Sequence, residues 1–363
     1  MNPLLQLKKC GQSVWLDYIR RDILVNGKLK KMIEKDGICG LTSNPTIFDK
    51  AISGSELYDD SIKNYLKKNP DADVNSLYEY LVIEDIREAA DIMKTVFEDS
   101  GGKDGFISLE VSPHLAYQTE ETMQEARRLW SQVDRPNLLI KVPATREGIP
   151  AIETLISEGV NVNVTLMFSL DHYEAVAGAY LKGVERCSHP DRAASVASFF
   201  VSRVDTLVDS ELEKIGTNEA MRLRGEIAIA NSRITYRRFK EIFYGVGFAP
   251  LKEKGAPVQR TLWASTSTKN PDYSDVLYVE NLIGPDTVNT LPPKTIDAFR
   301  DHGKAEVTID QGVEEAQNNL EKLERVGIRL NDLTEQLQEE GVRKFIDSFD
   351  QLIKNLDEKR KKL

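Results

Sequence analysis

Short apolar runs alternate with longer helix-patterned stretches along almost the entire chain, and no two neighbouring runs are joined by a tight Asn-Gly hairpin. The runs are SVWLDYI (13–19), GICGLTSN (37–44), FISLEVS (106–112), NLLIKVP (137–143), VNVNVTLMF (160–168), ASVASFFVS (194–202), PVQRTLWAS (257–265) and a weaker eighth, YVENLIG (278–284). Antiparallel neighbours need only a short turn, whereas parallel neighbours need a crossover long enough to hold a helix, so strands separated by helices make a parallel sheet. Eight such units close into a (β/α)8 TIM barrel, an α/β fold that takes about 250 residues. The helical stretches carry their own punctuation. Ile149, Ile152, Leu155 and Ile156 recur at helical spacing before a stop at Gly159, and Ser169 is placed to cap a helix whose apolar face is Val176, Tyr180, Leu181 and Val184.

The chain is 363 residues long, and its surplus over a bare barrel falls in two places. Two helices are expected between the second and third strands, around 56–68 and 76–98. The rest lies beyond Val307, where Val342, Phe345, Ile346, Phe349, Leu352, Ile353 and Leu356 form one helical stripe. That stripe reads as a helix packed on the barrel, and the closing KRKK (359–362) as a frayed, solvated tail. No internal repeat or low-complexity linker divides the sequence. Residues 1–363 are therefore expected to form one elaborated barrel domain, with 305–363 as a C-terminal helical extension.

Charge and motifs exclude several functions. The 48 Lys and Arg against 58 Asp and Glu leave a net charge of −10, which opposes broad binding to nucleic acid or anionic membrane. No stretch approaches the roughly 20 apolar residues of a transmembrane helix. Cys10, Cys39 and Cys187 are too few and too irregularly spaced for a disulfide framework, which fits a soluble protein of the reducing cytoplasm. The four histidines (His114, His172, His189, His302) have no zinc spacing, so no metal is expected. There is no phosphate-binding Walker loop, complete dinucleotide fingerprint or nucleophile elbow. His114 reads as structural.

Polar residues inside the strands carry the functional signal. Strands of a barrel are buried on both faces, so an ionisable side chain within one is costly unless paired or used. Lys141 lies between Ile140 and Val142, whereas nearly every other lysine sits in a charged helix or loop. Asp17 and Glu110 occupy similar positions in the first and third runs. Thr42 and Asn44 end the second, Asn163 and Thr165 share one face of the fifth, Ser198 lies in the sixth and Arg203 follows it. These fall on six successive strands whose C-terminal ends converge on one mouth, where barrel active sites are built.

The chemistry follows from the residue types. Burial disfavours an ammonium, and a neutral amine is a nucleophile for a carbonyl carbon with which it forms a Schiff base. The resulting cationic imine accepts electrons from a breaking carbon–carbon bond. Asp17 or Glu110 can move the hydroxyl proton that such a cleavage requires. Neutral Asn and Ser groups suit sugar hydroxyls. Arg203 suits a phosphate or a structural contact, and Lys269 is a second, weaker phosphate candidate. This is the logic of a Schiff-base aldolase.

On GLTSNPTIF (40–48), SLEVSPHLAYQTEETMQEA (108–126), LIKVPATREGIPAI (139–152), NVNVTLMFS (161–169) and SFFVSRVD (198–205), the sequence resembles the transaldolase family from about residue 10 to the C-terminal helix. The resemblance implies an α/β barrel that uses neither metal nor organic cofactor. It implies transfer of a dihydroxyacetone unit from fructose 6-phosphate or sedoheptulose 7-phosphate to glyceraldehyde 3-phosphate or erythrose 4-phosphate, in the non-oxidative pentose phosphate pathway. Lys141 matches the family's Schiff-base lysine and Asp17 the acid/base acting on the C4 hydroxyl. Glu110 and Thr165 match the pair that, with a water, assists imine formation. Asn44, with Thr42 beside it, Asn163 and Ser198 match groups holding the dihydroxyacetone moiety, and Arg203 matches a phosphate-binding arginine. Its expected partners are sugar phosphates, with no nucleic acid and no membrane, in a monomer or homodimer.

The sequence departs from the short forms of the family at a second phosphate-binding arginine after strand seven. STSTKN (265–270) stands there, so Ser265 or Lys269 must substitute. Phe199 replaces a common proline, and the length resembles the longer bacterial and cyanobacterial subgroup. The nearest alternative is a fructose 6-phosphate aldolase that releases free dihydroxyacetone. That branch resembles this sequence but carries glutamine at Glu110 and tyrosine at Phe200.

Overall fold

The computed structural model describes residues 2–363. Eight parallel strands form a closed barrel in sequence order: β1 (Gln12–Asp17), β2 (Ile38–Thr42), β3 (Phe106–Glu110), β4 (Leu138–Pro143), β5 (Val162–Met167), β6 (Ser195–Phe200), β7 (Arg260–Ala264) and β8 (Thr287–Leu291). Every strand pairs in parallel with its neighbours, and β8 closes on β1 through Gln12 to Leu16. Apolar side chains such as Ile140, Val142 and Val164 are fully buried beneath the surrounding helices, as a parallel sheet covered on both faces requires.

The eighth strand is not where the apolar pattern placed it. The segment expected at 278–284 instead contains a short helix, Leu277–Asn281, and the strand follows as TVNTL. Its β-branched Val288, Thr287 and Thr290 suit a strand, and most of its side-chain polar atoms find partners in or beside the barrel. Thr287 Oγ1 donates to Gly284 O at 2.5 Å and accepts from Gln12 Nε2 at 3.0 Å, while Asn289 Oδ1 accepts from Thr266 Oγ1 at 2.8 Å. A strand that turns threonine and asparagine side chains into the barrel and pairs most of their polar atoms there has no need of an apolar run.

The N-terminal end of the barrel is sealed by Arg260, which donates to Ser13 Oγ and Asp104, and by Trp15, which donates to Asp104 Oδ1 at 3.1 Å. Gly40 makes room for that tryptophan, since a Cβ there would stand 2.6 Å from its ring. Both helices expected between β2 and β3 are present, at Asp59–Lys68 and Val74–Asp99. The stop at Gly159 (φ +83°) follows the Gly148–Ser157 helix, and Ser169 caps Leu170–Arg186 by accepting from His172 N. The three cysteines are unpaired. Among the described residues, no helix is long and apolar enough to cross a membrane.

The C-terminal helix, Leu330–Arg360, runs across the C-terminal mouth of the barrel. At one end Asn331 donates to Asp171 and Glu335 meets His172 at 2.7 Å. Gln338 then reaches the ends of β4 and β5, Ser348 meets Thr46, and Asn355 donates to Asp49 beyond β2. Its last turn is anchored, contrary to the frayed tail expected of KRKK. Lys359 donates to Ile52 O and Ser55 O and pairs with Asp59, and Arg360 donates to Ala72 O. The carbonyls that end the Pro45–Ser53 helix attract a cation, which turns a nominally solvated basic run into a clamp.

Candidate active site

Strand register brings the polar residues together. Glu110 on β3 is level with Lys141 on β4, and Lys141 with Asn163 on β5; Asp17 on β1 is level with Thr42 on β2. Thr165 is level with Pro143, one interior layer nearer the mouth than Asn163. Side chains on adjacent parallel strands at one level share a face, so five strands deliver their groups to one chamber.

Lys141 is only 6% exposed, and its Nζ donates to the Ser43 carbonyl oxygen at 3.0 Å. Glu110 Oε1 lies 3.8 Å away, an ion-pair contact too long for a hydrogen bond. The ring of Phe345, from the C-terminal helix, is centred 5.8 Å from the same nitrogen. Burial pushes the Glu110 carboxyl up to about 7; nearby Lys141 opposes that rise and the Asp17 charge adds to it. A carboxyl poised near neutrality both gives and takes protons at physiological pH. Its second oxygen and the Thr165 hydroxyl are buried without a protein hydrogen-bond partner.

Asp17 Oδ1 accepts from Thr42 Oγ1 at 2.9 Å, and that hydroxyl also meets Thr290 Oγ1 at 2.6 Å. Burial raises the Asp17 pKa, opposed first by the Thr42 hydrogen bond and then by Lys141, Lys269 and Arg203. Thr42 is thus committed to orienting Asp17. Asn163 and Ser198 are also mutually engaged: Ser198 Oγ donates to Asn163 Oδ1 at 2.6 Å, and Asn163 Nδ2 donates to Ser108 Oγ at 2.9 Å. Asn44 caps the Pro45–Ser53 helix by accepting from Ile47 N at 3.0 Å, which leaves its amide nitrogen for other partners.

Arg203 and Lys269 lie near enough to act on the Asp17 charge, and Arg203 on Lys269. Arg203 lies over the Phe200 ring at 5.1 Å and makes no hydrogen bond or ion pair among the described residues. It opens the Ser202–Ile215 helix, whose N-terminal dipole also favours an anion. Burial lowers the pKa of both cations; Arg203 lowers that of Lys269 further, while Asp17 acts against both shifts. Two neighbouring cations without an acidic partner in contact make a locus for a phosphate. Lys269 Nζ donates to Ser267 Oγ at 2.8 Å. Ser265, in a left-handed backbone (φ +56°), instead shares a hydrogen bond with Ser202 Oγ at 3.0 Å.

Several contributors were not singled out from sequence. Ser43 and Ser108 lie within the motifs quoted above but act through a carbonyl and a buried hydroxyl. Thr290 was hidden with the misplaced eighth strand. Phe345 looked like one member of a packing stripe. His114, read as structural, is half-exposed and meets Asp350 of the C-terminal helix at 2.7 Å, a contact that ties the loop after β3 to that helix.

The transaldolase/fructose-6-phosphate aldolase family model matches residues 14–356. The chain is 49% identical to a transaldolase of Thiobacillus denitrificans over 97% of this chain and 99% of that protein. It is 47% identical to a transaldolase of Trichodesmium erythraeum over the whole of this chain and 98% of that protein. Identity to a transaldolase of Mycobacterium marinum is also 47%, over 97% and 96% of the two chains. With the closed barrel and near-complete coverage in both directions, the chain belongs to the transaldolase/fructose-6-phosphate aldolase family.

Proposed function

We propose that this enzyme is a transaldolase that moves a dihydroxyacetone unit between sugar phosphates through a Schiff base on Lys141. The observation that carries the reading is the buried Lys141 amine, 3.8 Å from a carboxyl poised near pH 7 and level with it in the barrel. Lys141 Nζ adds to the C2 carbonyl of the ketose phosphate. Glu110 relays protons as the carbinolamine loses its hydroxyl as water, and Thr165 positions that water. Asp17, held by Thr42, takes the proton from the C4 hydroxyl. The C3–C4 bond then breaks, its electron pair passes into the imine to leave an enamine, and the aldose phosphate departs. The acceptor aldehyde is attacked by the enamine, and its oxygen takes the proton back from Asp17. Water finally releases the new ketose phosphate.

The same geometry favours transfer over release of free dihydroxyacetone. Phe345 places an apolar ring beside Lys141, and Phe200 gives its ring face to Arg203 with no phenol to protonate the enamine. Asn44, Asn163 and Ser198 hold the dihydroxyacetone hydroxyls; Arg203 and Lys269 hold phosphate, with Ser265 supporting the loop beside them. The test is glyceraldehyde 3-phosphate release from fructose 6-phosphate with and without erythrose 4-phosphate, combined with borohydride trapping at Lys141. Acceptor-dependent release with label on Lys141 supports the proposal. Equal release without acceptor replaces it with an aldolase, and absence of label on Lys141 overturns the nucleophile.

A further inference from the structure

Beside Thr165 the backbone does something a strand interior rarely does. Leu166 has φ +59°, a left-handed conformation unusual for a leucine, and the register between β5 and β6 shifts between Val164 and Met167. A strained residue next to a site persists only where its surroundings hold it. Here the holding group comes from the C-terminal helix. Gln338, buried at 8% exposure, donates through Nε2 to Leu166 O at 3.0 Å and to Ala144 O at 2.9 Å. Ala144 N in turn donates to Thr165 O at 2.7 Å. One amide therefore ties together the ends of the strand carrying Lys141 and the strand carrying Thr165. Three residues along the helix, Gly341 is pressed on the same leucine: a Cβ there would come 2.9 Å from Leu166 Cδ2 and 3.7 Å from Arg203 Nη1.

We propose that Gln338 is a positioning residue for Schiff-base formation, fixing Leu166 in its left-handed conformation so that the Thr165 hydroxyl is presented to the water exchanged at Lys141. Gln338 touches neither sugar nor Lys141; it acts through the β4–β5 strand ends. The inference rests on the transaldolase reading, because Thr165 matters in this way only if imine formation and hydrolysis occur.

Carbonyl-oxygen exchange isolates the step. Forming the imine expels the C2 oxygen of fructose 6-phosphate as water, and hydrolysis restores it from solvent, so 18O-labelled sugar loses label without any carbon–carbon chemistry. Gln338→Met keeps the length and helix propensity but removes both donors. At saturating sugar it should slow exchange by about tenfold or more while KM changes less than about twofold. In a Thr165→Val background, Gln338→Met should add less than about a twofold further loss, because both changes remove one arrangement. Unchanged exchange in Gln338→Met, or losses that multiply in the double variant, would overturn the proposal. If Gln338→Met does not fold, Gln338→Glu provides the same comparison, and failure of both to fold assigns the residue a purely structural role. Absence of exchange by the wild-type enzyme is a separate result, removing the imine chemistry and this inference with it.

Discussion

Phe345, from the last helix of the chain, places its ring 5.8 Å from the Nζ of Lys141 in β4. The contact joins the C-terminal extension to the reacting nitrogen and makes that helix part of the chamber wall. An enamine on Lys141 survives until an aldehyde arrives only if stray protonation is held off, and the ring sets an apolar wall beside that nitrogen.

Truncating that ring should alter the fate of the enamine. Phe345→Ala should raise acceptor-independent release of dihydroxyacetone relative to transfer, by about tenfold if the ring supplies about 1.4 kcal/mol of discrimination. Product partitioning, measured with and without erythrose 4-phosphate, checks this. An unchanged ratio would remove shielding from the roles of Phe345.

Lys141 and Asp17 should separate two steps. Lys141→Ala should abolish both turnover and borohydride trapping. Asp17→Ala should still be trapped but lose about 10²- to 10⁴-fold in kcat, the usual worth of a general acid/base. Intact-mass analysis after reduction, alongside steady-state rates, distinguishes the two. Turnover by Lys141→Ala near the wild-type level would sink the assignment of the nucleophile.

The cation pair should control affinity more than chemistry. Arg203→Ala should raise KM for sugar phosphates by about 10- to 100-fold, the range for a lost hydrogen bond to a charged group. Lys269→Ala, at a more exposed position, should have a smaller effect in the same direction. Unphosphorylated fructose should be turned over about equally by all three enzymes. Equal losses on both sugars would make Arg203 structural.

Asp205 should give the folded protein a pH-dependent stability. It is buried in the first turn of the Ser202–Ile215 helix, where it accepts from Ala228 N at 2.7 Å and from the Tyr278 hydroxyl at 2.9 Å. Burial pushes its carboxyl up to about 7 against those hydrogen bonds. Between its ordinary range near 4 and pH 7 the native protein therefore holds a proton that the unfolded chain has released, so this contribution is lost as pH rises. Asp205→Asn can keep both contacts if the tyrosine hydroxyl turns to accept. The stability difference between variant and wild type should then grow in favour of the variant by about 1.4 kcal/mol per pH unit across that window. Denaturant unfolding at pH 5, 6, 7 and 8 measures it, and parallel curves would show that Asp205 carries no such linkage.

Much of this architecture is written locally. Strand and helix periodicities are set by short stretches of chain, so seven strands and the two long inserted helices fall close to their expected positions. Lys141, Asp17, Glu110 and Thr165 stood out because polar groups in strands buried on both faces are costly. The eighth strand escaped because Thr287 and Asn289 interrupt its apolar pattern, and the partners that make them tolerable there, Gln12 of β1 and Thr266 after β7, meet them through closure of the barrel.

The sequence alone therefore determined a parallel barrel and the polar residues at its mouth, since both follow from spacing and from the cost of burial. Tertiary structure decided what an apolar stripe is buried against. Val342, Phe345 and Phe349 announce a buried helix face, yet nothing in their spacing says that it covers Lys141. It also decided that Thr42 is spent on Asp17, that Arg203 and Lys269 converge, and that Gln338 fastens the ends of β4 and β5. Each of these joins residues remote in sequence, and such contacts are fixed by closure of the barrel and the path of the last helix rather than by local propensity.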